Sequence, residues 1–97
     1  MEASKYFFKK HGQMTFGQVL KAQRLGEEWT QADLAERVGV SPVAISQFER
    51  GLGHPKPETL QKIADVFGLK IESFLRYIMQ DLIGAYGKYD IEIKKVG

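Results

Sequence analysis

Apolar residues recur at helical spacing along most of the chain, and the period changes near the C-terminus. Phe16, Val19 and Leu20 begin the first stripe, which runs to Gln23 and Arg24. Thr15 with Gln18 three residues later is a capping-box pattern at its start, and Gly26 weakens the helix near its end. Thr30 is the next N-cap, with Asp33 placed in the first turn to favour the dipole. Leu34, Ala35 and Val38 form that helix's apolar stripe, and Gly39 sits where the chain needs positive φ. Ser41-Pro42 opens a third helix, with Ile45 and Phe48 facing inward and Gly51 ending it. Pro57 opens a fourth, with Leu60, Ile63, Ala64 and Phe67 inward and Gly68 as its stop. A fifth stripe joins Ile71, Phe74, Leu75, Ile78, Met79 and Leu82. After Gly84 and Gly87 the period becomes two, since Tyr89, Ile91 and Ile93 alternate with charged residues. A lone strand is unstable, so this tail calls for pairing with the N-terminal arm or a second subunit.

The pattern predicts an all-α, five-helix domain over residues 15–83. An N-terminal arm over 1–14 precedes it and a strand-like tail over 84–97 follows. The tail is a candidate dimer or partner contact. In the arm, Tyr6, Phe7 and Phe8 read as packing against that strand; the alternative is a basic arm that makes an outside contact through Lys9 and Lys10.

With 97 residues, 43% of them hydrophobic and 27% charged, the chain has the composition of one small globular domain. Cysteine is absent, which excludes a disulfide framework, a thiol nucleophile and a cysteine zinc site. Only His11 and His54 offer imidazole, so neither a metal nor a cofactor is expected. No apolar run approaches the roughly 20 residues of a membrane span, and the first residues make a poor signal peptide. A cytoplasmic protein without membrane contact is the expectation. Motifs of metalloproteases, P-loop nucleotidases and serine hydrolases are missing, so the chain does not read as an enzyme. Net charge is only +2, yet residues 1–24 carry +4 and residues 25–49 carry −4. Such segregation permits one basic and one acidic face, although on charge alone a mixed solvated surface is the simpler reading.

The stretch from Gln31 to Arg50 carries the functional signal. Two short helices joined through Gly39-Val40 cross steeply. That crossing needs a small residue, a positive-φ residue and an aliphatic one, and Ala35, Gly39 and Ile45 supply them. The outer face of the second helix holds Ser41, Val43, Ala44, Ser46, Gln47 and Arg50. A helix entering the major groove has this short, polar profile, free of long acids in its first turns.

The segment TQADLAERVGVSPVAISQFERG resembles the helix-turn-helix of the lambda-repressor-like family. That family includes phage repressors, Cro proteins, Xre-type regulators, controller proteins and many antitoxins. The likeness runs from Phe16 to Leu75 and includes FGQVLKAQR before the motif and PETLQKIADVFGL after it. It implies a five-helix DNA-binding domain, usually dimeric, that reads a roughly palindromic double-stranded operator, with helix 42–50 in the major groove. By the resemblance, base contacts fall to Ser41, Val43, Ala44, Ser46 and Gln47, with Gln47 able to pair with adenine and Val43 to touch a thymine methyl. Phosphate contacts fall to Thr30, Gln31, Arg50 and Lys56, with His54 beside Lys56 in the same loop. Arg24 and Glu49 match a structural ion pair between the first and third helices. A dimer interface is expected at Phe74, Ile78, Leu82, Ile91 and Ile93. Two departures stand out. Pro42 and Val43 replace longer polar residues common in relatives, and Glu28 occupies the place where a glycine is usual. Trp29 reads as a hydrophobic staple or core edge rather than a base-stacking platform. The alternative to a homodimeric repressor is an antitoxin-like module whose C-terminal zone binds a protein partner and whose middle zone represses its own operon.

Overall fold

A capping residue opens each of the first three helices in the computed structural model, which describes residues 14–85. Helix α1 spans Phe16–Gly26, α2 Gln31–Val38, α3 Pro42–Glu49, α4 Pro57–Phe67 and α5 Glu72–Ala85. The Thr15 hydroxyl accepts the Gln18 amide and the Gln18 side chain accepts the Thr15 amide, so the predicted capping box is formed in both directions. Thr30 and Asp33 exchange the same two bonds at 3.0 and 2.9 Å. The Ser41 hydroxyl accepts the Ala44 amide, and Pro42 follows as the first helical residue. Among the described residues there is no strand. The strand-like tail, its pairing with the arm, and the interface residues Ile91 and Ile93 lie outside them.

The first four helices end in a left-handed residue. Gly39, Gly51 and Gly68 have φ of 88°, 77° and 68°, as their positions demanded. The fourth residue is Glu28, with φ of 62°. Gly26 remains inside α1, so the glycine nearest in sequence does not make this turn. The Glu28 amide donates to the Leu25 carbonyl and the Trp29 amide to the Arg24 carbonyl, which is a complete Schellman closure built on a residue with a Cβ. Left-handed backbone costs a non-glycine residue about 1–2 kcal/mol.

These ends let α2 and α3 cross over a shared core. Phe16 and Leu20 of α1, Leu34, Ala35 and Val38 of α2, Ile45 of α3, Leu60, Ile63 and Ala64 of α4, and Phe74 of α5 are all buried together. The Phe16 and Phe74 rings meet edge to face at 5.9 Å, and Phe67 lies 6.3 Å from Phe74. Trp29 packs on Phe67 at 5.5 Å and the Arg37 guanidinium lies 4.2 Å from the centroid of the Trp29 ring, so Trp29 is a core edge. Helix α1 approaches the end of α3 at Gly17. A Cβ there would stand 2.5 Å from the Phe48 carbonyl oxygen and 2.6 Å from that of Glu49. The backbone contact thus requires glycine, a role the sequence pattern did not single out.

Two stability outcomes follow from this packing. Gly17→Ala is expected to cost about 3 kcal/mol by overpacking against backbone, whereas Gly26→Ala, with open space around it, gains about 0.5–1 kcal/mol. Equilibrium urea unfolding of both variants checks the contrast. Glu28→Gly is expected to gain about 0.5–1 kcal/mol, since relief of left-handed strain exceeds the added chain entropy. An unchanged or lower urea midpoint would count against strain at this turn.

Candidate nucleic-acid interface

Arg24 is a buried charged residue, and it organises the region around the crossing helices. Its Nε donates to Glu49 Oε2 at 2.7 Å and its second guanidinium nitrogen to Glu49 Oε1 at 3.0 Å. The remaining nitrogen donates to the Trp29 carbonyl at 2.8 Å. The Glu28 turn is what brings that carbonyl within reach. Side-chain exposure is 8% for Arg24 and 3% for Glu49. Hydrogen bonding to Glu49 raises the Arg24 pKa above its ordinary value, against an opposing effect of burial. The ion pair expected from the resemblance is therefore present, and it also clamps the turn between α1 and α2. Removing one partner of such a pair costs about 3–5 kcal/mol, because the other charge is stranded.

Gln31, the first residue of α2, joins the same pair: its Nε2 donates to Glu49 Oε1 at 3.1 Å. The sequence placed Gln31 at a phosphate and Glu49 in a structural pair without linking them. Thr30 beside it is exposed and its hydroxyl is engaged in the cap. The Gln31 and Ala32 backbone amides make no hydrogen bond among the described residues, so the α2 N-terminus keeps donors free where the helix dipole favours an anion.

Helix α3 sorts its residues by face. Ile45 is fully buried, Phe48 packs against the core from the side, and Ala44 and Ser46 are half-buried. Ser41, Gln47 and Arg50 are exposed, and Val43 is 63% exposed. Val43, Gln47 and Arg50 fall at i, i+4 and i+7, one stripe along the outer face of the helix and its cap. Gln47 uses its backbone carbonyl to accept the Leu52 amide, which closes the helix end and leaves its side chain in solvent. Lys56 is exposed at the start of α4 and makes no side-chain cap there. The structure thus brings Val43, Gln47 and Arg50 onto one surface. It gives Ala44 and Ser46 less reach, and it commits Ser41 and Thr30 partly to capping.

His54 has a partner the sequence did not reveal. Its Nε2 lies 3.1 Å from Asp81 Oδ2, and that oxygen also accepts the Phe16 amide at 3.1 Å. Asp81 therefore caps α1 from α5, a tertiary contact across 65 residues for which no local pattern exists.

On α5 the expectation for Phe74 needs correction. Phe74 is 0% exposed and packed on Phe16 and Phe67, so it has no surface to give a second subunit. Its position in the helical stripe marked it as apolar but not which side it faces. Ile78 is half-buried against the core, while Leu82 is 49% exposed beside Met79 and Ile83.

Comparison with known proteins supplies the family. A helix-turn-helix family model matches residues 20–74, which include the whole of α2, α3 and α4. The chain belongs to the helix-turn-helix family. Its helix-turn-helix segment is similar to the transcriptional activator BcrR of Enterococcus faecalis, at 40% identity over 64% of this chain and 30% of the relative. It is also similar to an uncharacterized HTH-type regulator of Methanocaldococcus jannaschii, at 41% identity over 60% of this chain and 88% of that protein. Among solved structures, the P22 c2 repressor in complex with a synthetic operator superposes with a TM-score of 0.61 and 33% identity, over 63% of this chain and 92% of that one. The chain spans under a third of the BcrR length. Its five helices are thus those of a repressor-like helix-turn-helix domain.

The Asp33 cap makes the α2 terminus acid-sensitive. Hydrogen bonds from Thr30 hold the Asp33 carboxyl below its ordinary value of 3.8. Its contribution to stability is complete above that value and is lost as pH falls through the lower folded-state pKa. The stability difference between wild type and Asp33→Asn is expected to be constant near neutral pH and to shrink below pH 3.8. A difference that stays level through acid would show that the charge contributes nothing.

Proposed function

We propose that the protein is a sequence-specific, double-stranded DNA-binding transcriptional regulator. It acts as a homodimer in the cytoplasm and represses by occupying its operator, with α3 in the major groove. The observation that carries this reading is the stripe of Val43, Gln47 and Arg50, exposed on a helix whose opposite side is locked into the core by Ile45 and Glu49. Operator binding by the similar P22 c2 repressor supports it. Gln47 would pair with the adenine edge and Val43 would meet a thymine methyl, with Ser41, Ala44 and Ser46 in close supporting contact. Gln31, Thr30, Arg50 and Lys56 would hold phosphates and fix the register. Met79, Leu82 and Ile83, apolar and exposed on α5, would meet a second copy, with Ile78 at the edge. A two-fold pair would then set the α3 helices about 34 Å apart, one turn of DNA.

Selection of sites from random duplex DNA tests the reading. Enrichment of an inverted repeat with half-sites about one turn apart is expected. Salt-sensitive binding without enrichment would overturn it and favour a module that needs a protein partner. Gln47→Ala should lose about 1–3 kcal/mol of discrimination at one adenine position, measured on a single-base operator series. Leu82→Glu should weaken self-association in sedimentation and leave the urea midpoint unchanged at protein concentrations where both variants are monomeric, because the side chain lies outside the core. A variant that remains fully dimeric would remove Leu82 from the interface.

A further inference from the structure

We propose that Glu49 is a positioning residue for DNA binding: through its hydrogen bond to Gln31 it holds that amide ready for a phosphate oxygen. The inference rests on the reading of Gln31 as a phosphate contact. A carboxylate only accepts hydrogen bonds, so the side of the Gln31 amide facing Glu49 must be its NH2 group. One N–H is then occupied. The other diverges from it in the amide plane and makes no further bond among the described residues. Free in solution, a glutamine amide presents nitrogen or oxygen equally well, and an oxygen turned to phosphate repels it. Glu49 removes that wrong orientation before DNA arrives.

The carboxylate can do this because it is itself immobile. Arg24 grips both of its oxygens, and its side chain is almost entirely buried. Glu49 is also the last residue of α3, whereas Gln31 is the first of α2. A single side chain thus ties the end of the base-reading helix to the phosphate-facing end of its neighbour. A shift of α3 against α1 would move the Gln31 amide with it. Pre-ordering a polar side chain lowers the entropy cost of binding.

The test is a thermodynamic cycle on mixed-sequence duplex DNA, since a phosphate contact does not depend on sequence. Gln31→Ala is expected to weaken binding about tenfold, as for loss of a hydrogen bond to a charged group. Glu49→Gln should weaken it by a similar factor, and the double variant no further than Gln31→Ala alone. A purely structural Glu49 would weaken binding equally in both backgrounds, and that additive result would overturn the inference. Wild-type affinity in Gln31→Ala would instead overturn the phosphate reading on which it rests. Should Glu49→Gln fail to fold, the wild-type protein still decides. In its 15N–1H spectrum, duplex DNA should shift one Gln31 side-chain proton and leave the Glu49-bound one in place. Release of both protons into fast exchange would refute the anchoring.

Discussion

A buried guanidinium that needs all its partners constrains this small fold more than any apolar contact. Arg24 sits near the end of α1, where desolvation would be ruinous without the Glu49 carboxylate and the Trp29 carbonyl. Meeting that need fixes three things together: the end of α3, the turn into α2, and the distance between α1 and α3. Gly17 is the steric counterpart, because the separation that suits the ion pair leaves no room for a Cβ against the Phe48 and Glu49 carbonyls. Glu28 is the conformational counterpart. Its left-handed backbone aims the Trp29 carbonyl at Arg24 and accepts strain in doing so.

A buried pair of this kind contributes geometry more readily than net stability, since apolar residues of similar volume do as well or better in holding helices together. Geometry is what a DNA reader requires. The outer stripe of α3 has value only if the helix projects at one fixed angle from the body, and a short helix with one fully buried residue, Ile45, does not hold that angle by itself. The ion pair fixes its C-terminal end, and the Ser41 cap fixes its start. Asp81 does similar service for α1 from the far end of the chain, and it connects α5 to the loop that carries His54 and Lys56.

Local chemistry was legible in the sequence and long-range polar contacts were not. Caps at Thr15, Thr30 and Ser41 and stops at Gly39, Gly51 and Gly68 are short-range rules, and each appears where its residues required. The Arg24–Glu49 pair was accessible through family likeness, but its bond to Gln31 was not, because spacing does not report which amide a carboxylate meets. Glu28 was visible only as a missing glycine. Gly17 was not singled out in the sequence, since the backbone it touches, at Phe48 and Glu49, is some 30 residues away. Phe74 shows the limit of a helical stripe: periodicity finds the apolar side of α5 but not how far the core reaches across it. Val43, Gln47 and Arg50 were readable because an exposed face lacking long acids is a property of one helix alone.

The most direct test of this account is a double-mutant cycle on unfolding free energy with Arg24→Ala, Glu49→Ala and the pair together. A lynchpin of the fold should show a coupling of about 2–3 kcal/mol, with the double variant well short of the sum of the two singles. A coupling of about 1 kcal/mol or less is what a solvent-screened surface pair gives, and it would contradict the central role assigned to this interaction.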